Sequence, residues 1–484
     1  MVVQHNLQAM NSNRMLGITT SSQAKVTEKL SSGYKINRAA DDAAGLSISE
    51  KMRKQIRGLD QASNNAQDGV SAVQTAEGAL AEVHDMLQRM NELAVQAANG
   101  TNSETDRDAI QNEIEQLTTE IDRVAETTKF NETYLLKGGE GTKTETLKLH
   151  DAGLKGTLEN GKFVMDELKA GDQTKIGGKE YNIGEVGAAI NTKFTAAVAT
   201  LKAGDTLKVG DVTYTYYAEK PKNTTTGSES DGWKAGWYAS APVDKGNGTG
   251  DQLEGTPINE TFFNKLDDGT KIEANFDQAG KSFSTYKATA NEIGTDGKTV
   301  TAEKAYDLAK AELLAANKIG DTNGTAAVEQ DANKKNEFTI TAGSAKVAMQ
   351  LSFNLHVGAD ADMTNKIGVD IETMNSDYLG IKGISIADDT GKSATYAIDA
   401  IADAIQKVSD QRSALGAVQN RLEHTIKNLD NVVENTTAAE SQIRDTDMAS
   451  TMVEYTKNNI LQQAGQSMLA QANQSTQGVL SLLG

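Results

Sequence analysis

Side chains that could carry catalytic or metal chemistry are few and scattered in this sequence. It contains no cysteine, which excludes disulfide bonds, thiolate metal sites and thiol nucleophiles. The histidines do not form the His-Glu-x-x-His pattern by which a helix presents two zinc ligands and a general base; they are His5, His84, His150, His356 and His424. We therefore predict no catalytic site, no metal site and no bound cofactor, and we expect these histidines to be surface or helix-packing residues.

Two other features resemble binding sites only superficially. The glycine-rich stretch 246–251 lacks the lysine of a phosphate-binding loop and the spaced carboxylates of an EF-hand, so we interpret it as a surface turn. Adjacent carboxylates occur without a spacing that suits general acid–base catalysis. We predict that these pairs are helix caps or solvated turns: Asp41-Asp42, Asp267-Asp268 and Asp388-Asp389.

The overall composition excludes several classes of function. The 484 residues carry a formal net charge of −19, which disfavours nucleic-acid binding because neutralising phosphates requires a basic surface. Hydrophobic residues make up 38% of the chain and aromatic residues only 5%, so the core should be aliphatic. No apolar run approaches the ~18 residues of a membrane span, and the N-terminus lacks the pattern of a cleaved signal peptide. We expect neither nucleic acid nor membrane as a partner.

The longest regular feature is an apolar stripe over residues 47–98. Its members recur at intervals of three or four, close to the ~3.5-residue period of a coiled-coil seam. Ser47 with Glu50 is typical of a capping box, and Asn99-Gly100 is typical of a helix end. A helix of this length with one apolar stripe needs partner helices to cover it. The stripe consists of Met52, Ile56, Leu59, Ala62, Ala66, Val70, Val73, Ala76, Leu80, Val83, Leu87, Met90, Ala94 and Ala97.

Other stretches with a helical period could provide those partners. Residues 1–34 predict a moderately amphipathic helix that ends at Gly33, and a connector follows over 35–46. Ser103 is a good N-cap for a helix that ends near Thr128, and the short loop at 99–103 predicts that this helix folds back antiparallel. The same spacing returns from about residue 395, loosens at 435–437 and 445–447, and continues in a last amphipathic helix.

Residue usage changes abruptly between the two helical ends. All three prolines and both tryptophans lie there, and no arginine occurs between Arg123 and Arg412. Short β-like runs occur at 210–217, 337–341 and 347–353, and a helix is predicted at 302–317. Leu-Lys-Ala-Gly-Asp occurs twice, at 168–172 and 201–205, as a duplicated strand-turn unit would. We therefore predict an α + β fold: a long antiparallel helical bundle or coiled coil from both chain ends, with a β-rich α+β domain inserted between them.

Both ends of the chain resemble the bacterial flagellins, over about residues 1–138 and 350–484. The insert matches no motif, which suits a family whose outer domains vary. Near the start the resemblance is carried by Leu30-Ser31-Ser32-Gly33, Ala40-Asp41-Asp42-Ala43-Ala44-Gly45-Leu46 and Glu92-Leu93-Ala94-Val95-Gln96. Near the end it is carried by Leu415-Gly416-Ala417-Val418-Gln419-Asn420-Arg421-Leu422, Ile460-Leu461-Gln462-Gln463-Ala464-Gly465 and Leu469-Ala470-Gln471-Ala472-Asn473.

The resemblance implies a structural, non-enzymatic subunit that self-assembles into the extracellular flagellar filament for swimming motility. Residues 1–44 and 445–484 would form inner-tube terminal helices. Residues 45–138 and 349–444 would form an outer-tube helical domain with a small β region, and residues 139–348 a variable, surface-exposed insert. The implied partners are further copies of the chain, the flagellar export apparatus, a chaperone for the C-terminal side and the filament cap. Export would occur without signal cleavage, and we expect the ends to be disordered in the free subunit.

Specific residues follow from the same interpretation. For subunit packing we expect apolar residues of the terminal helices together with one glycine. Gly416 lies in the middle of a helix, which suggests either close helix contact or a point at which subunits switch their packing. The full set is Leu7, Leu30, Gly416, Ile460, Leu461, Met468, Leu469, Leu482 and Leu483. The resemblance also implies that Arg89, Leu93 and Glu113 take part in detection by a host Toll-like receptor. Leu117 stands where strongly recognised members tend to have arginine, so we expect at most moderate recognition.

Two alternative functions are compatible with the sequence. A hook–filament junction protein would have similar ends but should stop polymerising after a few layers. A filament-displayed glycan-binding or enzymatic module in the insert could use Trp233 and Trp237 to stack on sugars. An aromatic anchor in a small core explains the two tryptophans more simply.

Overall fold

The computed structural model describes residues 6–198, 203–218, 235–239, 257–276, 281–290, 292–388 and 391–481. The chain divides into two compact units. The first unit comprises Met1–Thr75, Ser352–Asp370 and Ala414–Gly484, and the second comprises Ala76–Leu351 and Ile371–Ser413. Each unit is therefore built from segments far apart in sequence, as the predicted nesting of the chain requires.

Long helices form both ends of the chain, as predicted. The helix expected at 302–317 has the predicted bounds, and the helix expected from about residue 395 begins at Lys392 and runs without interruption through 435–437 to Arg444. The helices are α1 (Leu7–Ser32), α2 (Ala43–Ala97), α3 (Glu104–Thr127), α4 (Gly187–Val198), α5 (Glu260–Asn264), α6 (Ala302–Asn317), α7 (Ser376–Leu379), α8 (Lys392–Arg444) and α9 (Met448–Ser481). A 3₁₀ turn covers Met363–Asn365.

Helix caps explain where α1 ends and where α2 and α3 begin. Gly33 ends α1 with a left-handed φ of 76°, which glycine adopts without strain, and Ser103 with Asp106 forms a capping box on α3. The expected capping box at Ser47 is wrong, because α2 begins four residues earlier. The Asp42 carboxylate accepts a hydrogen bond from the backbone N–H of Gly45 at 2.9 Å, and this earlier cap makes Ser47 an interior residue.

In the first unit the helices pair antiparallel. At the chain ends, the Asn6 side-chain amide donates to the carbonyl oxygen of Ala472 at 3.0 Å, while the N–H of Thr446 donates to the carbonyl oxygen of Gly33. Along α2 and α8, Ser63 bonds Asp430, and a salt bridge of 2.9 Å joins Arg444 to Glu50, so residue numbers rise on one helix as they fall on the other. The predicted pairing of the two long helices is thus present here.

In the second unit α3 folds back along α2, as the short loop predicts. Arg89 on α2 forms a 2.8 Å salt bridge with Glu113 on α3. Apolar residues of the predicted stripe are fully buried there: Leu80, Val83, Leu87 and Met90. The seam read from the sequence is therefore the core of this helical part.

The strands lie between α3 and α8, most of them within the insert. They are β1 (Lys129–Phe130), β2 (Thr133–Tyr134), β3 (Thr142–Thr146), β4 (Gly156–Glu159), β5 (Lys162–Met165), β6 (Gln173–Ile176), β7 (Lys179–Gly184), β8 (Thr206–Val209), β9 (Val212–Tyr217), β10 (Gly236–Tyr238), β11 (Lys271–Phe276), β12 (Lys281–Tyr286), β13 (Thr299–Thr301), β14 (Ala327–Gln330), β15 (Glu337–Thr341), β16 (Ser344–Ala348), β17 (Leu351–His356) and β18 (Lys366–Ile371). The larger sheets have the strand orders β10-β9-β8-β11-β12, β14-β15-β5-β4 and β13-β7-β6.

One strand predicted from the sequence is divided in two. The run at 347–353 forms the end of β16, which pairs with β3, and the start of β17, which pairs with β18. Alternation of side chains cannot reveal a change of partner strand, because the period of two is the same on both sides. The strand at 337–341 is confirmed by β15, and that at 210–217 corresponds to β9.

The insert contains two separate hydrophobic clusters. In one, α6 covers the sheets that hold β5, β7 and β15, and Phe163 and Phe338 are buried with ring centroids 6.4 Å apart. In the other, α4 and α5 cover the five-stranded sheet, and Phe194, Phe276 and Trp237 pack together. The two clusters therefore rest on different helices and on different sheets.

The duplicated strand-turn unit is present as two hairpins with the same register, 33 residues apart in sequence. Lys175 pairs with Glu180 in the first hairpin, and Lys208 pairs with Thr213 in the second. The preceding glycines, Gly171 and Gly204, both have positive φ, and each donates its N–H to the second strand of its own hairpin. The repeated sequence thus specifies the same turn and the same pairing twice.

Candidate subunit interface

Helix α1 presents large apolar side chains to solvent. Leu7 is 73% exposed, and Met10, Met15 and Ile18 are also more than half exposed. Val26 is the buried residue of this 26-residue helix, whereas α3, which is slightly shorter, buries five residues. Exposed apolar surface of this extent is characteristic of an interaction site.

Helix α9 has the same character. Ile460 is 62% exposed, and Val453, Leu461 and Met468 are exposed as well. An open groove of about 520 Å³ runs along the helix, lined by Met452, Val453, Thr456, Lys457, Ile460 and Leu461. Side chains four residues apart line up on one side of a helix, so this groove is a stripe that a second helix could cover.

The structure places the predicted packing residues in three settings. Leu7, Ile460, Leu461 and Met468 are exposed, as a surface that meets another molecule would be. Leu30 and Leu469 are partly buried within the chain. Leu482 and Leu483 lie outside the described residues. The exposed and the partly buried members of the set alike lie on the two terminal helices.

Gly416 has a different environment from the one that close helix contact would give. A Cβ atom built at Gly416 would meet no atom within 4 Å among the described residues outside its own helix. Within α2, close approaches to another segment of the first unit occur at Gly58, where a Cβ would lie 3.0 Å from the Cβ of Ala359, and at Gly69, where it would collide with the side chain of Leu355. The sequence analysis missed these two glycines. Glycine destabilises the interior of a helix, so its presence within a long helix is the signal that could have found them.

The three residues implied in receptor recognition do not share one environment. Arg89 and Glu113 are half exposed and form a salt bridge, and Arg89 also lies 3.3 Å from Glu92. The Arg89 guanidinium donates hydrogen bonds to Glu113 and to Glu92, and these bonds, the one to Glu113 first, raise its pKa, so it is charged at any physiological pH. Leu93 is only 2% exposed and belongs to the core.

The residues considered for chemistry have structural partners. Trp237 is 6% exposed and packs on Phe194 and Phe276, so it serves as the anchor of a small core; Trp233 and the stretch 246–251 lie outside the described residues. Among the residues described, no three of His, Asp and Glu are grouped so that they could hold a metal ion. None of the described helices has the length and apolar character needed to cross a membrane.

The carboxylate pairs agree with the prediction of caps and turns except at one position. Asp41 accepts hydrogen bonds from the N–H groups of Asn37 and Arg38, and Asp388 accepts from the N–H of Lys392 at the start of α8. Asp268 is not solvated: it forms a buried 3.1 Å ion pair with Lys287. Asp389 lies outside the described residues. The wrong prediction for Asp268 follows from its partner being 19 residues away in sequence, on the far side of a hairpin.

Both chain ends match family models. The models are described as the bacterial flagellin N-terminal helical region, matched over residues 3–140, and the bacterial flagellin C-terminal helical region, matched over residues 398–483. The chain is 37% identical to a flagellin of Clostridium tyrobutyricum, over 99% of this chain and all of the relative. It is 34% identical to a flagellin of Halalkalibacterium halodurans, over the full length of both.

A solved structure titled "3D structure of FliC from Burkholderia pseudomallei" aligns with 73% of this chain and 99% of its own, at 17% identity and a TM-score of 0.22. A TM-score of this size gives no basis for comparing the folds.

Proposed function

The chain belongs to the bacterial flagellin family and is a structural subunit of the flagellar filament, and from this premise we propose that the exposed apolar residues of α1 and α9 are the surfaces on which subunits bind one another. Flagellins self-assemble into a filament. The observation that supports this assignment is the stripe on α9, where Ile460 and Leu461 are exposed beside the groove in a single chain.

Estimated free energies of burial and association indicate how many of these side chains assembly can lose. Complete burial of a fully exposed Leu, Ile or Met side chain contributes roughly 1.5–3 kcal/mol. Scaled by their exposed fractions, Leu7, Ile460, Leu461 and Met468 could together contribute about 4–7 kcal/mol. Association costs on the order of 4–15 kcal/mol in lost freedom. Because the two quantities are similar, removing two of these side chains should be enough to prevent assembly.

A double substitution on α9 tests this assignment. We expect Ile460→Ser with Leu461→Ser to abolish filaments in sedimentation and electron microscopy, while the circular dichroism of the free subunit changes little. Gln466→Ser, at an exposed polar position on the same helix, is the matched control and should assemble. Filaments of normal length from the double variant would refute the assignment of this face.

We propose the same layered arrangement that the sequence implies. Residues 1–44 and 445–484 form the inner tube, residues 45–138 and 349–444 the outer tube, and residues 139–348 the surface-exposed insert. Antiparallel pairing of α1 with α9 and of α2 with α8 in the first unit supports grouping the two chain ends. Limited proteolysis of filaments should cleave first within 139–348, and early cleavage within 1–44 would contradict this order.

We propose that the subunit leaves the cell through the flagellar export apparatus with its N-terminus uncleaved, that a chaperone binds its C-terminal side before export, and that the filament cap directs its addition outside. The exposed stripe on α9 supports the need for a chaperone, because such a surface would associate prematurely in the cell. The mass of the subunit in purified filaments tests the first point, since removal of an N-terminal segment would contradict it. Flagellins are structural proteins, and we propose that this one catalyses no reaction.

Recognition by a host Toll-like receptor is a further proposal, and it is best tested at the exposed pair. We expect Arg89→Ala and Glu113→Gln each to weaken receptor binding, because both side chains are accessible and charged. Leu93→Ala should act only through the packing of α2, and Leu87→Ala, at another buried position of the same helix, controls for that effect. Unchanged binding after both Arg89→Ala and Glu113→Gln would remove the proposal.

A further inference from the structure

Methionine is concentrated on the exposed faces of the two terminal helices. Five of the 13 methionines lie there and are 47–63% exposed; these, the terminal methionines, are Met10, Met15, Met448, Met452 and Met468. By contrast, Met90, Met165 and Met374 are buried in the second unit. The sequence contains no cysteine, so methionine thioethers are its sulfur groups that an oxidant can reach.

We propose that oxidation of the terminal methionines to sulfoxides prevents the free subunit from assembling, and that assembly in turn protects these residues from oxidation. The oxidant is a peroxide. The sulfur lone pair attacks one peroxide oxygen, the O–O bond breaks, and the leaving hydroxide takes up the proton of the transferred hydroxyl. One thioether and one hydrogen peroxide thus give one sulfoxide and one water. This inference rests on the proposed interface.

The environment of Met452 shows why a sulfoxide would be costly there. Its neighbours along the groove are Val453, Ile460 and Leu461, and a buried sulfoxide oxygen needs a hydrogen-bond donor. Thr456 already donates its hydroxyl to the backbone oxygen of Met452 at 2.9 Å. The exposed Lys457 ammonium is the remaining donor of the groove, and it would have to give up bound water to pair with the new oxygen, so the sulfoxide stays costly.

The chemistry of methionine makes such a face suitable for reversible control. The flexible thioether fills irregular gaps between helices, and its sulfoxide is polar and is reduced back by methionine sulfoxide reductases. Since several terminal methionines are exposed together, their effects on assembly should accumulate. The buried Met90, Met165 and Met374 should react slowly, so the modification can be introduced without disrupting the core.

The experiment treats free subunits and preformed filaments with hydrogen peroxide and locates added oxygen by peptide mass spectrometry. We expect the terminal methionines to be modified in the free subunit and protected in the filament, while the exposed Met349 and Met363 are modified at least in the free subunit. Oxidised subunits should assemble about tenfold or more less efficiently, a change of ~1.4 kcal/mol. A sulfoxide reductase should restore their assembly.

Two variants separate the possible causes. A variant with leucine at the five terminal methionines, compared with its own untreated sample, should lose the sensitivity to peroxide, because leucine has a similar volume and cannot be oxidised. A variant with Met349→Leu and Met363→Leu should remain as sensitive as the native chain.

The outcomes also separate this inference from the proposed function. If the untreated native chain fails to assemble, the proposed interface fails. If it assembles and the fully oxidised chain assembles equally well, or if the five-leucine variant keeps its sensitivity, the inference on methionine is overturned. Should the five-leucine variant not assemble at all, the reductase treatment of the native chain decides the question.

Discussion

Arg107 is the clearest case of a single residue whose role depends on the folded chain. It is 3% exposed, and its guanidinium donates to the carbonyl oxygen of Ala97 at 3.0 Å, at the end of α2. The last carbonyls of a helix lack partners within the helix, and a cation there is favoured by the helix dipole. Arg107 on α3 therefore terminates the neighbouring helix.

Replacement of Arg107 should be far more damaging than replacement of an exposed arginine. We expect Arg107→Ala to lower the free energy of unfolding by about 2–4 kcal/mol, because buried carbonyl oxygens lose their donor. Arg123→Ala on the same helix removes a solvent-exposed salt bridge with Glu120 and should have little effect on the free energy of unfolding. Urea unfolding of the two variants measures the difference, and equal losses would contradict this role.

Asp321 should make the second unit sensitive to acid. Burial alone would raise the pKa of its carboxyl, but hydrogen bonds from the N–H groups of Ala326 and Ser344, at 2.7 and 3.0 Å, hold that pKa below its ordinary value of 3.8. A carboxyl with a depressed pKa stabilises the fold above its ordinary value, and this contribution is lost as the pH falls through the folded-state pKa. Asp321→Asn should remove it.

Thermal melts from about pH 3 to pH 7 test this point. Compared with the native chain, we expect Asp321→Asn to be less stable at neutral pH, on the order of 1 kcal/mol, and to lose less stability on acidification. Asp307→Asn removes an exposed carboxylate on α6 and serves as the charge control. An identical acid dependence in the native chain and in Asp321→Asn would show that this carboxylate does not contribute.

Single residues were predictable from the sequence where the partner is local. The caps at Ser103 and Gly33 were predicted because the groups they satisfy lie within three or four residues. The partners of Arg107, on a neighbouring helix, and of Asp268, across a hairpin, were not predictable, because no periodicity connects them. Leu93 was implied as a recognition residue, but it is buried, and the apolar stripe listed from the sequence does not include it.

At the scale of elements, glycines within long helices divide into two kinds. Gly58 in α2 lies against the backbone and side chain of Ala359, so a Cβ there would need a displacement of the backbone. Gly78 in the same helix has no neighbouring atom within 4 Å outside its helix among the described residues. The sequence shows two similar mid-helix glycines, and only the packing distinguishes them.

This difference predicts that a Gly→Ala substitution lowers stability at one position and raises it at the other. We expect Gly58→Ala to destabilise the first unit by about 1–3 kcal/mol through overpacking. Gly78→Ala should stabilise the chain by about 0.4–1 kcal/mol, because alanine favours the helix and restricts the unfolded state. Differential scanning calorimetry of both variants is sufficient, and stabilisation by Gly58→Ala would show that the contact with Ala359 is loose.

Gly416 can be tested in the same way for a role between subunits. Because it has no close neighbour within the described part of the chain, Gly416→Ala should raise the stability of the free subunit. If another subunit contacts this position closely, the same variant should assemble poorly despite its higher stability. Normal assembly would remove Gly416 from the proposed packing residues.

At the scale of the whole molecule, the nested order of the chain was predictable because composition and helical period change together at the ends of the insert. The division of the insert into two hydrophobic clusters was not. Its sheets join strands distant in sequence, as in the parallel pairing of β13 with β7. Short strands carry a period of two but no information on such partners. The repeated hairpin was detectable because its two copies share a sequence.

The terminal helices should be the least stable part of the free subunit. Fixing one residue costs about 1–2 kcal/mol in backbone entropy, and α1 recovers little of that cost within the chain, since Val26 is its buried residue. We expect backbone amides of α1 and α9 to exchange with solvent much faster than those of α3, which buries Ile110, Ile114 and Ile121.

In the filament the same amides should become protected, because neighbouring subunits cover the exposed stripes. Hydrogen exchange with mass spectrometry on free subunits and filaments measures both states, with α3 as the internal reference. Strong protection of α1 and α9 in the free subunit would mean that the two helices are stable without a partner, and assembly would then need another driving force.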